Sequence, residues 1–194
     1  MIARPDPHYA HLCKNLRWYW FCLIAMAMFT LSGCYRSVDF KEDVRLSSGK
    51  TIEIERKVHL DRSCEGLSCG WAFKRSEIIM HDMQNITWSQ KLNPILLDDN
   101  EGRYFLVATV VGCDDPEFGR PDPRYVQFEL TNNGWQRTKV KPYIFGRHAN
   151  LLLAPNWYTG EPKTIDVPTK EMRNSIAGVR SYMKVLSPIT PSNC

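Results

Sequence analysis

Residues 93–112 read NPILLDDNEGRYFLVATVVG, and their pattern predicts a strand, an acidic turn and a second strand. The turn is the run Asp98-Asp99-Asn100-Glu101-Gly102, rich in residues that tolerate tight backbone bends. From Tyr104 to Val111 both parities are apolar, as expected of a central strand buried on both faces. A β-rich fold follows from this unit, and the flanking segments repeat its period of two.

Upstream, DVRLSSGKTIEIERKVHL (43–60) reads as two strands around a turn at Ser48-Gly49. Ile52 and Ile54 alternate there with Glu53, Glu55 and Lys57, so one face is wet. WAFKRSEIIMHD (71–82) and MQNITWSQKL (83–92) supply further strand, rich in β-branched and aromatic residues. Downstream, the Pro-rich loop 114–124 precedes YVQFELTNNGWQRTKVKP (125–142), where Asn133-Gly134 is a strong hairpin signal. Near the C-terminus the period changes. Met172, Ile176, Val179, Tyr182 and Met183 fall on one helical stripe, with Pro168-Thr169 as a start signal and Pro188 as a stop. The expected architecture is α+β and mainly β: an antiparallel meander of about seven strands with one C-terminal α-helix packed on it.

The first 34 residues have a different character. Lys14 and Arg17 precede WYWFCLIAMAMFT (18–30), thirteen residues without a charge, and then Leu31-Ser32-Gly33-Cys34. Cations followed by a short apolar run and small residues are the pattern of an export signal. LSGC resembles the lipobox of bacterial prolipoproteins, with Cys34 in the position that receives a diacylglycerol. The resemblance covers about residues 14–34 and implies cleavage before Cys34, a lipid anchor in the membrane and a domain facing the periplasm. Tyr35, rather than Asp, follows the cysteine and leans the expectation toward the outer membrane. An uncleaved anchor is the competing reading. The eighteen uncharged residues from Trp18 to Tyr35 sit at the lower edge of what spans a hydrocarbon core of about 30 Å. The expected division is a signal peptide at 1–33, the lipidated cysteine with a short polar leader at 34–42, and one globular β-rich domain at 43–194. The alternation of the sheet also resembles that of bacterial envelope proteins, a likeness that carries no function.

Composition narrows the possibilities. Hydrophobic and charged residues at 43% and 24% exclude wholesale disorder. Of 25 basic and 21 acidic residues, three and one lie within 1–33. The remainder is near +2, far from the basic stripe that nucleic-acid binding requires. In the oxidising compartment that the resemblance implies, Cys64, Cys69, Cys113 and Cys194 read as disulfides with three possible connectivities. CEGLSC closes a short loop and favours Cys64–Cys69, which leaves Cys113–Cys194. A zinc knuckle is the alternative, since C-x₄-C falls within ligand spacing, but a matching second pair is missing.

No stretch after Cys34 carries a chemical signature above background. SSGKT (47–51) ends like a phosphate loop, yet Val44 stands where that loop needs Gly. His59, His81 and His148 are scattered, and Asp114, Asp115, Glu117 and Asp122 read as a solvated loop rather than a calcium site. Leu151–Leu153 read as buried packing, whereas Trp157 and Tyr158 in a Pro/Gly-rich context are candidate anchors for a partner. The expectation is a membrane-tethered, non-catalytic binding or structural module with an envelope protein as partner, and with neither metal nor cofactor. The alternatives are an immunity-type lipoprotein that neutralises a toxin in the periplasm, and an envelope hydrolase.

Overall fold

The computed structural model describes residues 35–65, 68–83, 85–112, 115–153, 164–175 and 180–189. The strands are β1 (Tyr35–Arg45), β2 (Thr51–Glu65), β3 (Ser68–Met80), β4 (Ile86–Gln90), β5 (Leu92–Asn100), β6 (Arg103–Val110), β7 (Val126–Thr131), β8 (Gly134–Thr138) and β9 (Thr164–Ile165). Two helices follow, α1 (Val167–Ser175) and α2 (Ser181–Lys184). The protein is mainly β with little helix. It forms two sheets instead of the expected single meander: β4-β3-β2-β1-β9 and β5-β6-β7-β8.

The division falls at Lys91, the single residue between β4 and β5. Its cause is the apolar face that each strand carries. One open sheet would leave that face in water, whereas two sheets turned toward each other bury it from both sides. Val44, Ile52, Ile54, Ile78, Met80 and Trp88 of the first sheet share a core with Leu97, Leu106, Ala108, Val126 and Phe128 of the second. Trp88 meets Phe128 edge-on across it, with ring centroids 5.5 Å apart.

The turns obey local chemistry. Leu46 N–H donates to Lys50 O and Gly49 N–H to Leu46 O, with Gly49 at φ +87°, which matches the expected Ser48-Gly49 turn. Between β5 and β6 only Glu101 and Gly102 form the loop, both at positive φ, as a two-residue hairpin requires. Asp98 and Asp99 therefore belong to β5 and not to the turn, and Asp98 is only 2% exposed. In the β7–β8 hairpin Thr131 faces Gly134, which places Asn132 and Asn133 in the loop.

As expected, β6 is central, flanked by β5 and β7. Leu106 and Ala108 point between the sheets, while Phe105 and Val107 point the other way. There they meet Ile144, Leu153, Tyr182 and Leu186. Tyr125 Oη donates to Tyr182 O (2.8 Å) and accepts from Ser187 N–H (3.0 Å), which ties this cover to the sheet. The edge of β5 is closed as well. The Asn150 side-chain amide accepts from Leu97 N–H and donates to Leu97 O, and the bulged Ile95 carbonyl accepts from Leu151 N–H.

Two expectations are corrected. Residues 35–42, read as a leader, lie within β1, because Val38, Phe40, Val44 and Leu46 continue one apolar parity that the charges between them conceal. The expected C-terminal helix is described as α1 and α2, with Ile176 and Val179 of its stripe outside the described residues. Arg180 has extended backbone, and Met172 of the expected apolar stripe is 62% exposed. The buried residue of α1 is Lys170. The helix starts at Asp166, whose carboxylate accepts from Thr169 N–H and whose carbonyl accepts from Lys170 N–H.

Candidate functional site

Strands β1 and β2 each place one charge among the apolar residues of the inner face. Glu42 lies between Phe40 and Val44, Arg56 lies between Ile54 and Val58, and both side chains are fully buried. One Glu42 oxygen accepts from Arg56 Nη1 (3.0 Å). The other accepts from Leu152 N–H (3.0 Å) and sits 3.3 Å from Lys170 Nζ. Arg56 Nη1 also donates to Leu152 O, and Lys170 Nζ donates to Asp43 O. The Phe40 ring lies 5.6 Å from the Arg56 guanidinium carbon.

Burial pushes the Lys170 ammonium below the ordinary lysine value, although Glu42 beside it pulls upward and Asp43 adds a weaker attraction. Two buried cations therefore share one buried carboxylate. Arg56 Nε and Nη2 find no hydrogen-bond partner among the described residues. Unmatched charge of this kind is expensive in a protein interior.

Lys170 also lines a cleft of about 260 Å³ between α1, the β1–β2 turn, β5 and residues 147–150. Asp98 and Arg147 line it as well. Asp98 accepts from Ser47 N–H (2.6 Å), from Ser47 Oγ and from Arg147 Nη1. Arg147 is further held by its Nε–H bond to Tyr143 O and by the faces of Phe105 and Tyr143. Arg45 and His148 stand at the cleft with no side-chain bond to any described residue.

A second feature is the outer part of the β2–β3 hairpin. Past Leu60 and Phe73 the body no longer covers either face: Arg62, Ser63, Cys64 and Ser68–Ala72 are all exposed. Cys64 and Cys69 face each other in register and are joined by a disulfide, as expected. Their Cα atoms are 4.1 Å apart, the spacing of a non-hydrogen-bonded pair. By alternation Trp71, opposite Arg62, directs its backbone N–H and C=O away from β2. Strand β4 pairs only with Ser76–Met80, so that edge is open among the described residues. Trp71 itself is 41% exposed.

Cys34, Cys113, Cys194, Trp157 and Tyr158 lie outside the described residues. The three described histidines have different surroundings. His59 lies 3.0 Å from Glu77, His81 contacts Asn85 and Glu55, and His148 borders the cleft. Asp115 accepts from Glu117 N–H and Phe118 N–H, a local turn, and no metal-binding cluster occurs among the described residues. Among those residues no helix is long and apolar enough to cross a membrane.

The sequence reading missed Glu42, Arg56, Asp98, Lys170 and Trp71. Parity betrays the first two, which occupy positions where the alternation demands an apolar side chain. Nothing local marks Lys170, whose burial comes from strands more than a hundred residues away. Comparison with protein families, with curated proteins and with solved structures finds no match to this chain.

Proposed function

We propose that the protein is a lipid-tethered module of the bacterial envelope that acts by binding, with Cys34 as tether and the outer β2–β3 hairpin as the presenting element. The observation that carries this reading is the open edge of β3 beside an exposed tryptophan, on an arm closed by a disulfide. An extended segment of a partner protein can add to such an edge as a further strand, gaining backbone hydrogen bonds there and side-chain contact at Trp71. The bulge near His59–Leu60 and the adjacent charges Lys74 and Arg75 end the usable edge, so pairing is confined to the uncharged run Ser68–Ala72. Trp157 and Tyr158 are further candidate anchors in this reading, and Cys113–Cys194 is its second disulfide.

Two measurements test it on the full chain in bacterial cells. A fatty-acid analogue should label the wild type and leave Cys34→Ser unlabelled; equal labelling of both rules out the tether. A photo-crosslinking residue at Arg62 should yield an adduct that Trp71→Ala weakens and Trp71→Pro abolishes. Proline removes the outward N–H and is tolerated on an edge strand, so melting should stay unchanged. Adduct formation that survives both substitutions rules out the arm as the binding element.

A further inference from the structure

Glu42, Arg56 and Lys170 are buried together, and their formal charges do not cancel. Of the three, Lys170 reaches the surface of the cleft. Its ammonium has three hydrogens, of which two are accounted for by Glu42 and Asp43 O. The cleft wall adds Arg147, whose Nη1 is engaged with Asp98, and the rim adds Arg45 and His148, whose side chains make no bond to any described residue. Among the described residues Glu171 also lines the cleft, Asp43 attracts Lys170 only weakly, and Asp98 is already neutralised by Arg147.

We infer that this cleft is a binding site for a small oxyanion-bearing ligand, a carboxylate or phosphate compound, whose charge completes the buried Glu42–Arg56–Lys170 cluster. Lys170 supplies the inner contact and Arg45 the outer one, with His148 as a further donor at the rim. An anion held there is attracted by a cation that cannot be solvated by bulk water, which makes the interaction stronger than at an exposed lysine. The cleft volume of about 260 Å³ suits a small metabolite and excludes a folded partner. This inference is independent of the tether and of the hairpin arm: either can fail without the other.

The test uses the full chain in detergent. Inorganic phosphate and succinate are titrated separately at constant ionic strength set by sodium chloride. A saturable rise in melting temperature, confirmed by calorimetric binding, is expected for at least one of them. Phosphate alone would assign a phosphorylated ligand, succinate alone a carboxylate. Lys170→Met should abolish the response. Arg45→Ala, whose side chain supports no other described residue, should keep the fold and weaken binding about tenfold, the effect of one lost charge-assisted hydrogen bond. The Lys170→Met comparison decides where that variant folds, and Arg45→Ala decides where it does not. No shift beyond the chloride control, or an unchanged affinity in the deciding variant, overturns the site.

Discussion

The two sheets are built on the same period of two and end in different surroundings. In the four-stranded sheet both faces are covered, by the other sheet on one side and by Ile144, Leu153, Tyr182 and Leu186 on the other. Both parities of β6 must then be apolar, and its sequence reads as an unbroken hydrophobic run. The five-stranded sheet buries one face only; its other face carries Lys41, Glu53, Glu55 and Lys57 in ion pairs. Yet this half-wet sheet carries two opposite charges into its inner face, at Glu42 and Arg56. The doubly covered sheet keeps both faces of its central strand β6 largely apolar and buries Asp98 on its edge strand β5, whereas the singly covered one buries a pair of opposite charges within its inner face.

Glu42→Gln probes that contrast most severely. It leaves Arg56 and Lys170 buried without a carboxylate and should destabilise by about 3–5 kcal/mol in urea unfolding. Replacing all three charges with Leu, Leu and Met should recover most of the loss. A Glu42→Gln protein as stable as wild type would mean that the cluster is not held in its charged form.

Leu106→Ala, in the middle of the doubly covered sheet, should cost about 3 kcal/mol through lost burial and a residual cavity. A value below about 1 kcal/mol would show that the site collapses, and the claim of tight packing on both faces would fail.

Replacing Cys64 and Cys69 with Ser removes a constraint across a sequence separation of 5, worth about 2 kcal/mol by loop-closure entropy. Because the arm stands outside the packed body, the effect should appear as faster amide exchange around Trp71, with β6 amides unchanged. Acceleration in β6 would couple the arm to the core after all.

The smallest effect belongs to the wet face. Lys57→Ala should change stability by less than about 0.5 kcal/mol, since its partner Glu55 is itself partly solvated. A larger loss would mean that this face is covered in solution.

Periodicity carried the strands, the central position of β6 and the hairpin at Gly49, because those depend on neighbours in sequence. It stopped short of the sheet count. Alternation says which residues share a face and not what lies opposite that face, so the reversal at Lys91 left no local mark. The acidic run at 98–102 shows the same limit. Asp residues favour turns, yet a Ser47–Arg147 pairing partner drawn from afar makes a strand position for Asp98 the better one. In α1 the helical stripe pointed to Met172, while the buried face is set by Glu42 waiting for a cation at Lys170. The cleft is legible only in three dimensions, since its walls come from residues near 45, 98, 147 and 170.

Leu151, Leu152 and Leu153 are consecutive, and each enters a different apolar cluster: the first between the sheets, the third beneath the C-terminal segment, the second against Phe40, Val58 and Leu60. The backbone of Leu152 meanwhile bonds both Glu42 and Arg56. Three adjacent residues therefore act as a keystone, and no cluster can come apart while the other two hold this tripeptide in place. Unfolding of the body should accordingly be a single transition with one midpoint by every probe. A one-residue insertion at this point would misdirect all three side chains at once, a lesion that no conservative substitution within any one cluster could mimic.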